Sequence, residues 1–134
     1  MIQIEILGAP IALKRPRTAR IGNFINIYNP QKKELSQAKW QIKAQYKENP
    51  IPGPLLLDIV FYMPIPIQTS KVKTREMING ILKHQKKPDL DNLQKFILDA
   101  MNGIVFIDDS QVDEIKCRKT FATQPRTLIR VLPH

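Results

Sequence analysis

One short segment carries most of the chemistry that this chain is equipped to do. It reads Lys87-Pro88-Asp89-Leu90-Asp91-Asn92-Leu93-Gln94-Lys95, followed by Asp99 and then by Asp108-Asp109-Ser110. Pro88 disfavours helix at the residue before it, so a helix is expected to start near Asp89, with Asp89 as its cap and Asp91 in its first turn. Both carboxylates then gather at the positive end of that helix. At 100° per residue, Asp91, Lys95 and Asp99 span about 80° of the polar face. Lys95 therefore shares a side with Asp91. Clustered carboxylate oxygens are hard ligands of the kind that suit Mg2+ or Mn2+. A short strand over Val105-Phe106-Ile107 returning beside the helix would bring Asp108 and Asp109 to the same end. Each residue also has an ordinary use: Asp89 as a helix cap, Lys95 in an ion pair one turn away, and Asp108-Asp109-Ser110 as a turn.

Other chemistries fit poorly. A calcium loop opening at Asp89 would need Gly at its sixth position and Glu at its twelfth, where Gln94 and Ala100 stand. The five glycines are dispersed and form no phosphate cradle. A Ser/His/Asp triad has only His84 and His134 to draw on, and with Cys117 the single cysteine these two histidines lack the companions for a zinc site.

Charge says what the acids are set against. The chain has 134 residues, a net charge of +9 and 43% apolar residues, which fits one domain with a single core. From Pro88 to Ile115 there are seven acids and one base, a net −6; the remaining residues carry 20 bases and five acids, a net +15. A basic surface of that size points to a polyanionic partner, nucleic acid before an acidic membrane. An acidic patch within it would repel phosphates, unless a divalent cation bridges carboxylate and phosphate oxygens. Ten of these bases form two groups: Lys14, Arg15, Arg17 and Arg20, then Lys71, Lys73, Arg75, Lys83, Lys86 and Lys87. Both are expected to hold nucleic-acid phosphates, with a solvated charged surface as the alternative.

The remaining pattern supplies the scaffold. Ile2, Ile4 and Ile6 alternate as a strand. Phe24, Ile25 and Ile27 suggest a short strand, and Asn29-Pro30 a helix start running to about Glu48. The prolines at 50, 52 and 54 end it. Leu55 to Met63 reads as a central strand. Residues 64–87 read as a basic, mobile loop, with a short helix over Thr74–Lys83 as the alternative. Leu90, Leu93, Phe96, Ile97, Ala100 and Met101 make one apolar helix face that stops at Asn102-Gly103. Strands are expected over Ile115–Phe121 and Thr127–Leu132. The outcome is a single α/β (α+β) domain over 1–134, a mixed sheet with two main helices. The apolar stretch from Leu55 to Ile67 is interrupted by Asp58, Pro64 and Pro66 and is shorter than the roughly 20 residues of a membrane span. No signal peptide is evident at the N-terminus, and a lone cysteine suits a reducing cytoplasm.

The motif Asp89-Leu90-Asp91-Asn92-Leu93-Gln94-Lys95, then Asp99-Ala100, then Asp108-Asp109-Ser110-Gln111-Val112, resembles the RusA family of Holliday-junction resolvases. Gly8-Ala9-Pro10, Lys14-Arg15-Pro16-Arg17 and Tyr28-Asn29-Pro30 are similar to that family's early pattern. The basic segment from Ser70 to Lys87 is longer than usual. The resemblance implies a homodimeric, Mg2+-dependent endonuclease that cuts four-way DNA junctions by paired symmetric incisions in recombination and repair. Many such enzymes are encoded by phages or prophages. It implies catalytic roles for Asp89, Asp91, Lys95 and Asp109, with the three acids as metal ligands and Asp108 as a weaker candidate. Lys95 as a cation would steady the negative charge developing on the phosphate. Two other readings stay open: a non-catalytic, structure-specific DNA-binding module, and a metal nuclease for other branched DNA.

Overall fold

The computed structural model describes every residue except 15, 16 and 29, and leaves the side chains of Arg17, Asn26 and Tyr28 undescribed. The expected roles of Arg15, of the Arg17 side chain and of Asn29 as a helix cap therefore lie outside the described residues.

Alternating isoleucines build the first strand, β1 (Ile2–Leu7), with Ile4 and Ile6 buried. The basic stretch after it is not merely a charged loop. Its second half forms β2 (Arg17–Ile21), which pairs antiparallel with β3 (Phe24–Tyr28). The turn between them uses Gly22 at φ +58°, a conformation that glycine adopts without strain. No apolar alternation marks Thr18-Ala19-Arg20, so the sequence pattern showed only one arm of this hairpin. Helix α1 (Lys32–Gln45) follows and buries Ala38 and Ile42.

Strand β4 (Leu55–Pro64) is the centre of the core, with Leu55, Leu57, Ile59 and Phe61 fully buried. Each such side chain contributes about 1.5–3 kcal/mol when taken out of water. The sheet order is β1-β6-β4-β5. Strand β5 (Val112–Ala122) runs parallel to β4, while β6 (Arg126–Pro133) runs antiparallel to both β4 and β1. Consecutive strands β5 and β6 are thus separated by β4. A parallel neighbour requires a crossover connection, and residues 65–111 provide it. They contain α2 (Lys71–Ile78) and α3 (Leu90–Met101). Helix α2 starts earlier than the Thr74–Lys83 reading because Ser70 caps it, accepting from the Lys73 N–H at 3.2 Å. Helix α3 buries Leu93, Phe96, Ile97, Ala100 and Met101 against the sheet and α1, as its periodicity predicts.

The expected strand over Val105-Phe106-Ile107 does not form. Gly103, at φ +79°, turns the chain locally, and its N–H donates to the Phe106 carbonyl at 2.8 Å. Val105 and Phe106 are wedged fully buried at the C-terminal end of α3, and the Val105 carbonyl accepts from the Ile51 N–H at 2.8 Å. Burial of these two side chains outweighs the short strand propensity. No described helix is long and apolar enough to cross a membrane.

Candidate active site

Helix α3 presents its acids at its first turn. Asp89 occupies the cap position with extended backbone (φ −70°, ψ 144°), yet its side chain makes no capping hydrogen bond. Its carbonyl accepts from the Leu93 N–H at 3.1 Å. The carboxylate is exposed, and so are those of Asp91 and the ammonium of Lys95. No ion pair joins Asp91 to Lys95 among the described residues. The two ordinary uses open to these side chains, capping and a helical ion pair, are therefore not taken up. The acids stand beside unsatisfied N–H groups of the first helical turn, the favourable place for negative charge.

Lys14 is brought to the same place by the backbone. Leu13 N–H donates to the Asn92 carbonyl in the first turn of α3 at 2.9 Å. Gln31, next to the start of α1, clasps the same segment: its Oε1 accepts from Lys14 N–H at 2.8 Å and its Nε2 donates to the Ala12 carbonyl at 2.7 Å. Exposed Lys14 therefore starts from beside the acid pair. Lys86 and Lys87, immediately before Pro88, line an open groove with Pro64, Ile65, Pro66 and His84. Lys71, Lys73 and Arg75 lie exposed on α2, with Lys83 on the loop after it and Arg20 on the hairpin. None of these described bases forms an ion pair, so their charges are free to meet phosphates.

The returning strand expected to bring Asp108 and Asp109 to the start of α3 is absent, and the two make no three-acid group with Asp89 and Asp91 among the described residues. Asp109 acts on Asp99, in the C-terminal half of that helix. The Asp99 carboxyl is held above the usual carboxylate range by burial first and by Asp109 second, with Lys39 acting in the opposite direction. Asp108 is engaged as a cap. Its pKa is held below the ordinary range first by the Ser110 side chain and then by the Ser110 N–H, from which its carboxylate accepts at 3.2 Å. Gln111 completes a reciprocal cap by accepting from the N–H groups of Ile107 and Asp108, and it ties the turn to the carbonyls of Ile51 and Gly53. Of the two neighbours, Asp109 has the uncommitted carboxylate. Among the described residues, no three acids, histidines or cysteines stand close enough to hold one metal ion.

One side chain at the site escaped the sequence reading. Lys119 on β5 donates to the carbonyls of Lys86 and Pro88, at 2.7 and 2.9 Å. The signal was present, because Lys119 falls in the same alternating row as Ile115, Cys117 and Phe121, the row that faces the helices. A lysine there needs a partner. Phe121 in that row packs on the ring of His84, 5.0 Å between centroids. His84 is only 8% exposed, and its pKa is lowered by burial first and then by Lys119 and Lys86. Its burial on Phe121 gives it a packing role.

Residues 8–132 match the family model described as endodeoxyribonuclease RusA. The uncharacterized protein YqaN of Bacillus subtilis (strain 168) is 32% identical over 134 aligned residues, which cover 97% of this chain and 94% of the relative. The matched span includes the acid motif, Lys95 and the cap at Asp108. The chain belongs to the RusA family of endodeoxyribonucleases.

Proposed function

We propose that this protein is a Mg2+-dependent endonuclease that resolves four-way DNA junctions by paired symmetric incisions, acting as a homodimer. The observation that carries the reading is the acid pair itself. Asp89 and Asp91 sit exposed at the positive end of α3, uncommitted to a cap or an ion pair among the described residues, with lysines on the approaches that are likewise unpaired there. Within a family of endodeoxyribonucleases, free carboxylates surrounded by phosphate-binding charge are suited to metal-assisted phosphodiester hydrolysis.

The residues fit the ion. Mg2+ is commonly held by one or two carboxylates, waters and substrate phosphate oxygens rather than by an all-protein cage. Asp89 and Asp91 are such a pair, and Mn2+ suits the same oxygens. When bound there, the ion supplies Lewis acidity and an activated water. Lys95, on the same helix face, stabilises charge developing on the phosphoryl oxygens. Lys14, Lys86 and Lys87 hold the flanking phosphates. Asp109, which makes no three-acid group with this pair among the described residues, joins such a site when a second copy of the chain supplies it. A two-fold dimer also presents two sites to two strands.

The test is direct. Purified protein is incubated with Mg2+ and labelled four-way junction, flap or duplex DNA, and the nicks are mapped. Paired symmetric nicks confined to the junction are expected. Cutting of flaps alone favours a nuclease for other branched DNA. Binding without nicks in Mg2+ and in Mn2+ favours a DNA-binding module. Mixing Asp89→Asn with Asp109→Asn protein tests the shared site, since exchanged dimers regain one complete set.

A further inference from the structure

The geometry points to Lys119 as the positioning residue that aims the Asp89 carboxylate, an inference that rests on the metal-dependent reading above. Its ammonium donates to two carbonyls, of Lys86 at 2.7 Å and of Pro88 at 2.9 Å. These acceptors belong to the last residues before Asp89, where no helical or sheet hydrogen bond yet fixes the chain. Charge-assisted hydrogen bonds to carbonyls are strong for their size. The clamp has support on both sides along β5: Phe121 holds the His84 ring, and the Cys117 thiol donates to Gln94 Oε1 on α3 at 3.2 Å. One row of a single strand therefore grips the loop, the residue before the acid and the helix after it. The Asp89 side chain has no capping bond of its own, so its direction follows from where the backbone is held. Lys119 spends two of its three N–H donors on that task. It acts through Asp89, as residues behind metal ligands do when they fix a ligand's orientation.

The test uses Lys119→Met, which keeps the stem and removes the donors, and Lys119→Arg, which keeps donors and charge. Amide hydrogen exchange, affinity for Mg2+ alone, junction binding without metal, and cleavage are measured on the full chain. In Lys119→Met, exchange is expected to quicken at Asp89 to Asn92 above all, and Mg2+ affinity to fall about 10-fold or more. Junction binding without metal stays as in the wild type, and cleavage recovers at raised Mg2+. Lys119→Arg recovers part of both losses. Wild-type exchange and Mg2+ affinity in Lys119→Met overturn the inference. So does cleavage lost at saturating Mg2+ with Mg2+ affinity intact, which would make Lys119 act on the DNA itself. If the methionine variant does not fold, the arginine variant decides. Exchange at Asp89 and Mg2+ affinity changing together support positioning, and either changing alone overturns it. If the wild type binds no Mg2+ and cuts nothing, the metal reading fails, while the exchange difference at Asp89 still decides whether Lys119 positions that residue.

Discussion

Leu13 donates its N–H to the carbonyl of Asn92 at 2.9 Å, so the basic N-terminal segment departs from the turn that carries the acid pair. That bond joins residues far apart in sequence and makes Lys14 a neighbour of the site. Lys14→Ala is expected to weaken junction binding about equally for all sequences. The slope of log affinity against log salt should become shallower by about one unit, the share of one phosphate contact. An unchanged slope in filter-binding titrations would assign Lys14 to solvent.

Asp89 and Asp108 both stand at cap positions, but only Asp108 caps. Asp89→Asn and Asp91→Asn are expected to abolish cleavage, with folding intact and junction binding kept or improved. Asp108→Ala should instead lower Tm while leaving cleavage by the folded protein measurable. Thermal melts and nick assays on the three variants separate the two uses of the same residue type.

Lys95 has no ion pair among the described residues, so its charge has no structural duty there that would be missed. Lys95→Met is expected to melt like the wild type and to bind junctions, while single-turnover cleavage falls about 100-fold, as when one donor to a developing oxyanion is removed. Loss of stability in step with activity would contradict this.

Asp99 supplies a pH test. Burial, and then Asp109, raise its pKa in the folded protein above the usual carboxylate value. A raised carboxyl pKa costs stability where the folded group is ionised, and the cost fades as pH falls through the raised value. Asp99→Asn is therefore expected to raise Tm at neutral pH, with the gain shrinking as the solution is acidified. A gain that grows in acid would reverse the sign and show that Lys39 dominates.

Much of the scaffold is readable from local pattern alone. The stripe from Leu93 to Met101, the apolar run of β4 and the stop at Asn102-Gly103 are set by periodicity and backbone preference within a few residues. The same is true of the split between a −6 segment and a +15 remainder, and of the acid motif within it. The hairpin arm β2 and the exact start of α2 were less legible. The first lacks an apolar face, and the second depends on one hydroxyl at Ser70.

By itself, then, the sequence determined which side chains have the chemistry, and that Asp89, Asp91 and Lys95 share one end of a helix, because helical spacing is a local property. Only the tertiary structure decided which carboxylates are free and which are spent. Asp109 acts on Asp99 and makes no three-acid group with Asp89 and Asp91 among the described residues. The bond from Leu13 to Asn92 delivers Lys14, and Lys119 finds its acceptors on carbonyls some thirty residues back in the chain. Backbone carbonyls are the same in every residue, so no pattern of side chains announces which of them a distant lysine will reach; packing of β5 against α3 makes that choice.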